Sequence, residues 1–329
     1  MKNTQTTMTA ILDNTHPTVR SLIEHQGDMS DKKFADRYLS VSETVWFRIK
    51  KGEYVRKNYD DLLDKLSNAL QNIEDHATLT EGQKEHSIVP LSNVKIAVIS
   101  VRRAFDQPRD RLCVGLTPTG GGKSTMARAI LAQYPGRTVI AEATEPWRTS
   151  YIAAIHTIGE AVGLTGLASN SRVAERTLLN ELKERPRIIV IDEGNYFGQQ
   201  SLNLVKAILN QTQCTVVILA LPELWNAMKR RSWAEAAQIR SRTISHFAIA
   251  SISVRDVEAL LSVRVPNFCT HLNGSKTACI KSITDAANSF GLCDTVVQIA
   301  DEIHNEASGS VITPDIVDRA IRNVQLLRP

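Results

Sequence analysis

The sequence is poor in the features that mark several common protein classes. Its five cysteines (Cys113, Cys214, Cys269, Cys279, Cys293) are odd in number, widely spread and never spaced as CxxC. That pattern excludes a disulfide framework and a zinc ribbon, and leaves buried or idle thiols of a reducing compartment. No apolar run approaches the roughly 18 residues of a membrane-spanning helix. The opening segment MKNTQTTMTAILDNTHPT has no apolar stretch of the kind a signal peptide needs. A soluble, cytoplasmic protein with no membrane partner is expected. Internal repeats and low-complexity tracts are absent, which excludes a solenoid. Net charge is weak as well, at +4, so a nucleic-acid partner is permitted but local clusters must decide it.

What is present is ordinary globular material. The 329 residues are 43% hydrophobic and 22% charged, enough to bury a sizeable core in two or three modest domains. Residues 1–15 are polar and rich in Thr and Asn, and read as a flexible tail. Residues 16–73 carry helical periodicity. The polar stretch EDHATLTEGQKEHS that follows reads as a linker over 74–90. A helix over Val94–Phe105 leads into a strand at Leu112–Leu116. Further strands are predicted at Thr138–Ala141, Ile188–Ile191, Val216–Ala220 and His246–Ala250, each separated by helical patterns. Such alternation predicts an α/β domain with a mostly parallel sheet over 91–252. From residue 253 to 329 strand signals cease, and four helices form a small C-terminal domain.

The chemistry concentrates at the turn after Leu112–Leu116. Thr117, Pro118, Thr119, Gly120, Gly121, Gly122, Lys123, Ser124 and Thr125 follow an apolar strand and open an amphipathic helix. Glycines let backbone N–H groups close around phosphate oxygens, and a helix N-terminus favours the same anion. Lys123 would charge-pair with the β- and γ-phosphates of ATP, and Ser124 would ligate Mg²⁺. The pattern departs from GxxxxGK[ST] at its first position, where Thr117 replaces glycine. Downstream, Ile188–Ile191 runs into Asp192 and Glu193. Asp192 would hold Mg²⁺ and Glu193 would polarise the attacking water. The basic segments Lys229-Arg230-Arg231 and Gln238–Arg242 flank the last strand. Arg242, with Arg240 second, is the candidate that would reach a neighbouring subunit's γ-phosphate.

Near the N-terminus, SDKKFADRYLSVSETVWFRIKKG (Ser30–Gly52) fits a helix-turn-helix, with small Ala35 at the helix crossing and Val41, Val45 and Ile49 inward. Ser42, Glu43, Thr44, Phe47, Arg48 and Lys50 would face outward. With Lys51, Arg56 and Lys57, Arg48 and Lys50 form a basic cluster suited to phosphate contact. Ser42, Thr44, Arg48, Lys50 and Lys51 are the candidate double-stranded DNA contacts, with Arg148 a further one beyond the second strand.

Taken in order, the head, the linker, GGGKS, IIVIDEGNYFG, VVILALPELW and QIRSR resemble the AAA+ transposition regulators of the phage Mu protein B type. The resemblance implies an AAA+ core with a helical lid. It implies ATP-bound subunits that assemble as homo-oligomeric helical filaments on duplex DNA, with little sequence preference, and present target DNA to a DDE transposase. It also implies polar sensor residues in two places, where this chain has Leu221 and Cys293; slow ATP hydrolysis is therefore expected. The competing readings are a helicase-loader-like AAA+ ATPase and a nucleotide-gated DNA-binding scaffold that barely hydrolyses ATP.

Overall fold

The computed structural model describes residues 12–27, 29–39, 41–54, 59–82, 88–229, 236–265, 268, 272, 275–307 and 311–326. The chain divides into two compact units. One comprises Met1–Ser87 with Leu131–Thr138 and Arg185–Arg187, and the other comprises Ile88–Ile130, Val139–Glu184 and Ile188–Pro329.

The first unit contains four N-terminal helices: α1 (Pro17–Gln26), α2 (Asp31–Tyr38), α3 (Glu43–Lys50) and α4 (Asp60–Gly82). Side-chain oxygens start two of them. Ser30 accepts from the Lys33 N–H and Ser42 from the Val45 N–H, each satisfying a donor that the first helical turn leaves free. The core gathers Val19, Leu22, Phe34, Ala35, Leu39, Trp46, Ile49 and Leu66. Ala35 is fully buried, as its small size predicts. Polar burial is handled by Gln26. Its Nε2 donates to Met29 O and Asp31 Oδ1, and its Oε1 accepts from Trp46 Nε1 at 2.9 Å. At its C-terminus α2 is capped by Arg137, whose Nη2 donates to Ala35 O at 3.0 Å and Leu39 O at 2.6 Å. One expectation is corrected here. The segment from Glu74, expected to be linker, is helical through Gly82, because α4 continues without a break. Polar composition alone does not end a helix when Ala, Leu, Glu and His carry no breaker among them.

In the second unit, helix α5 (Ser92–Phe105) precedes five strands: β1 (Leu112–Leu116), β2 (Thr138–Glu142), β3 (Ile188–Asp192), β4 (Thr215–Ala220) and β5 (Thr243–Ala248). The spatial order is β2-β3-β4-β1-β5. Pairs β1/β4, β1/β5 and β3/β4 are parallel. Strands β1, β3 and β4 are buried along their whole length, which is why they read as continuous apolar runs rather than alternations. The intervening helices are α6 (Lys123–Gln133), α7 (Tyr151–Ala161), α8 (Ser171–Glu184), α9 (Gln199–Gln211), α10 (Pro222–Lys229) and α11 (Ala236–Ser241). The last strand begins earlier than the expected His246–Ala250, since Thr243–Ser245 pair with β1 across a register irregularity.

The remaining helices are α12 (Val254–Arg264), α13 (Lys276–Phe290), α14 (Leu292–Ala307) and α15 (Pro314–Leu326). They share a hydrophobic core with Leu91 and Val94 at the start of α5 and with Ala129 of α6. This core is separate from the one beneath the sheet, which centres on Leu112, Val114, Ile189, Ile191, Val216 and Ile218.

Candidate nucleotide site

Parallel pairing brings the carboxyl ends of β1, β3 and β4 to one edge, the edge where α/β sheets bind ligands. The β1/β4 ladder runs one residue past Leu116, because the Thr117 N–H donates to Ala220 O at 3.0 Å. The chain then turns, with the Gly121 N–H donating to Pro118 O at 3.1 Å. Gly120 and Gly122 stand at φ +76 and +86, in the left-handed region where a Cβ is strained. Gly121 is needed for a different reason. An added Cβ would sit 1.8 Å from Thr117 Oγ1. Thr117 therefore fits because Gly121 makes room for it. Its hydroxyl is buried with no hydrogen-bond partner, the kind of donor that a phosphate oxygen would satisfy.

Helix α6 starts at Lys123, so its N-terminus faces this loop. Lys123 is only 8% exposed, and its Nζ lies 3.9 Å from Glu193 Oε1. Ser124 Oγ donates to Asp192 Oδ2 at 2.7 Å, and the Glu193 N–H donates to Asp192 Oδ1 at 2.8 Å. Glu193 itself stands at φ +52, a conformation that non-glycine residues seldom hold without cause and that recurs at functional sites. Thus Lys123, Ser124, Asp192 and Glu193, far apart in sequence, meet within hydrogen-bond or ion-pair reach. The donor set fits Mg²⁺ with a nucleoside triphosphate: a hydroxyl beside a carboxylate, a buried ammonium and a glycine cradle that a Cβ would fill. Ser124 would hold the metal and Asp192 would support it, while Lys123 would meet the phosphates.

The C-terminal helices close one side of the loop. The Asp294 N–H donates to Gly120 O at 3.2 Å, and a Cβ on Gly120 would meet Gly291 O at 2.2 Å. A cleft of about 240 Å³ lies beside the loop, lined by Ser92, Asn93, Ile96, Ala248–Ser253, Asp256, Leu292 and Cys293. Asp256 fastens the cleft's floor. Its Oδ1 accepts from Ser92 N and its Oδ2 from Ser253 Oγ. Burial would raise this carboxyl, but the hydrogen bonds from Ser253 and Ser92 outweigh it and hold the group below the ordinary aspartate range. Cys293 lies 3.6 Å from Asn93 Nδ2, and burial, reinforced by Asp294, pushes its thiol up to about 11. A neutral thiol thus occupies the corner where the family resemblance implies a polar sensor residue. Leu221, directly after β4, likewise offers no polar group. Neither Asn93 nor Asp256 was singled out by the sequence, since a lone Asn or Asp at a helix start carries no motif.

Other expected residues lie elsewhere. Arg242 precedes β5, whose Thr243 pairs with Leu112 at the start of β1, so it sits at the opposite sheet edge from Thr117. Its guanidinium donates to Asn210 Oδ1. The structure does not bring Arg242 to its own chain's Lys123 and Glu193. Arg240 donates to Met228 O and serves as a carbonyl cap. Lys229 is exposed, and Arg230 and Arg231 lie outside the described residues. Arg148 is exposed with its guanidinium 5.5 Å from the Tyr196 ring centroid, on a segment anchored by stacking of Trp147 on Phe197.

In the head, Ser42, Thr44, Arg48 and Lys51 are exposed, with Lys51 Nζ 4.5 Å over the exposed Phe47 ring. Lys50 is corrected. It is half-buried, ion-paired with Asp31 and hydrogen-bonded to Gln26 Oε1 at 3.3 Å. Helical phase puts it on the flank of α3 that meets the start of α2, where a long cation reaches the Asp31 carboxylate more readily than solvent. Arg56 and Lys57 lie outside the described residues.

Residues 110–228 match the model of the family described as AAA domain. That segment runs from the turn before β1 into α10. No curated protein matches the chain. Among solved structures, the chain is similar to Cdc6p from Pyrobaculum aerophilum, with a TM-score of 0.52 and 12% identity over 70% of this chain and 66% of that one. It is also similar to the Orc1 protein of Aeropyrum pernix in complex with DNA, with a TM-score of 0.50 and 18% identity over 71% of this chain and 64% of that one. The chain thus spans just under two thirds of those two proteins. At such identities the likeness shows the fold, and the strand order and loop geometry above agree with it: a P-loop AAA+ core with helical flanks. No helix among the described residues is long and apolar enough to cross a membrane.

Proposed function

We propose that this protein is an ATP-dependent DNA-binding factor that assembles as a homo-oligomer on duplex DNA, delivers it to a DDE transposase and hydrolyses ATP slowly. The observation that carries the reading is the division of the AAA domain's chemistry between two sheet edges. Lys123, Ser124, Asp192 and Glu193 share one edge, and Arg242 stands at the other. An arginine so placed completes a neighbour's site and not its own, so turnover depends on assembly. Within a site, Lys123 would leave Glu193 for the phosphates. Glu193 would then be free to polarise water for in-line attack on the γ-phosphoryl group. Bound Mg²⁺ would neutralise phosphate charge as it develops. With Leu221 and Cys293 where sensors are expected, the ATP state would be long-lived, which suits a timer of DNA occupancy.

DNA contact is assigned to the exposed Ser42, Thr44, Arg48 and Lys51 of the head and to Arg148. The transposase partner is supported by the resemblance of the chain's motifs to regulators of the phage Mu protein B type. A helicase-loader-like role is the second reading, favoured by the fold shared with Cdc6p and with an Orc1 solved on DNA. Co-sedimentation and electron microscopy with random duplex DNA test the assembly. ATP-stimulated filaments that fade on hydrolysis are expected, and no ATP-dependent DNA assembly would refute the reading. Stimulation of strand transfer by a DDE transposase, against loading of a hexameric helicase, separates the two partners.

A further inference from the structure

No sequence motif points to Asn93, yet its side chain joins three segments. It lies in the first turn of α5 and is 8% exposed. Nδ2 donates to Gly121 O at 2.9 Å and lies 3.6 Å from Cys293 Sγ, while Oδ1 accepts from the Val94 N–H at 2.8 Å. The orientation of the amide follows from this network, because only the nitrogen can donate to a carbonyl and only the oxygen can accept from an N–H. Gly121 stands 28 residues away in sequence and Cys293 stands 200.

The consequence lies in the peptide plane. In a trans peptide the C=O and the following N–H point in opposite directions. With the Gly121 carbonyl held by Asn93 Nδ2, the Gly122 N–H is turned away from Asn93, the orientation in which it would meet a phosphate oxygen. Three glycines in a row give the backbone no preference of its own for that orientation, since each can adopt either sign of φ. An external donor is required to select it. The neighbouring Gly120 carbonyl is held from outside in the same way by the Asp294 N–H.

We infer that Asn93 is a positioning residue that locks the Gly121–Gly122 peptide in its phosphate-binding orientation and ties that orientation to the lid through Cys293. The inference rests on the reading of Thr117–Ser124 as a phosphate loop. Occupancy of the cleft that Asn93 also lines, or movement of Cys293 on α14, would then alter phosphate affinity without touching phosphate.

Two substitutions in the full chain test it. Asn93→Asp keeps size and the acceptor for Val94 but removes the donor. Asn93→Leu removes the donor without adding charge. Calorimetry with Mg·ATP should show affinity weakened about tenfold or more in both, the cost of one hydrogen bond at a strained loop. The thermal midpoint of nucleotide-free Asn93→Asp should fall by only a few degrees, the loss of one buried hydrogen bond in a chain of this size. Amide exchange at Gly122, slowed by ATP in the wild type, should remain fast in Asn93→Asp. Binding by either folded variant within twofold of wild type would overturn the inference. So would equal ATP protection of Gly122, and if Asn93→Leu does not fold, Asn93→Asp decides alone. Failure of the wild type itself to bind Mg·ATP would instead overturn the phosphate-loop reading.

Discussion

In the proposed function the nucleotide corner and the helical head would both hold phosphate, and by opposite means. In the corner the binding groups are backbone amides and one ammonium at 8% exposure, fixed by a turn, a helix start and two strand ends. In the head they are long exposed side chains, Arg48 and Lys51, on one face of a short helix. Preorganised amides in a low-dielectric corner hold phosphate at fixed geometry with little ordering cost. Surface cations act mainly through counterion release and lose grip as salt rises. On that reading the corner would serve chemistry and the head salt-sensitive adhesion.

That contrast can be broken from both sides. The largest effect is expected at Glu193. Glu193→Gln should lower ATP turnover by about 10² or more, the usual worth of a positioned general base, while Mg·ATP affinity stays at or above wild type. Steady-state turnover with parallel calorimetry checks it, and unchanged turnover would favour the non-hydrolysing scaffold. A smaller effect is expected in the head. Arg48→Ala with Lys51→Ala should reduce the salt slope of duplex binding by about 2, one for each phosphate contact removed, leaving ATP binding intact. Fluorescence anisotropy across a salt series would show it.

Lys50 should behave as neither. Lys50→Ala should leave the salt slope unchanged but cost about 1 to 2 kcal/mol of stability, because it strands a partly buried carboxylate. Burial would raise the Asp31 carboxyl, but Lys50 and Gln26 outweigh it and hold it below the ordinary range. A depressed carboxyl contributes stability above its unfolded pKa of about 3.9 and loses it as pH falls. The gap between wild type and Lys50→Ala should therefore close below about pH 4 in urea titrations.

The same contrast explains what could be read from the sequence. The corner was legible because a backbone site leaves glycines behind. Thr117–Ser124 and the Asp192-Glu193 pair meet where their spacing placed them, and even the departure at Thr117 finds its reason in Gly121. The strands were legible because buried parallel strands are continuous apolar runs. The head was legible only as helices. Which cation on α3 stays free depends on Asp31 and Gln26 across a helix junction, and periodicity carries no information about that. Asn93 and the contact of Asp294 with Gly120 were invisible for a related reason. Their partners stand far away in sequence, and only the closed fold brings an ordinary asparagine to a glycine carbonyl. Helix α4 ran on to Gly82 because polar residues without a breaker do not stop a helix.

Central to the proposed function is the relation that each nucleotide corner would need Arg242 from a neighbouring copy. It is tested most directly by mixing two inactive proteins, Lys123→Ala and Arg242→Ala, and measuring ATP turnover on duplex DNA. The first lacks a working site but keeps its arginine, and the second keeps its site but lacks the arginine. Turnover absent from each alone and regained in the mixture is the predicted result. A mixture as inactive as its parts, or an Arg242→Ala protein that turns over ATP like the wild type, would contradict it.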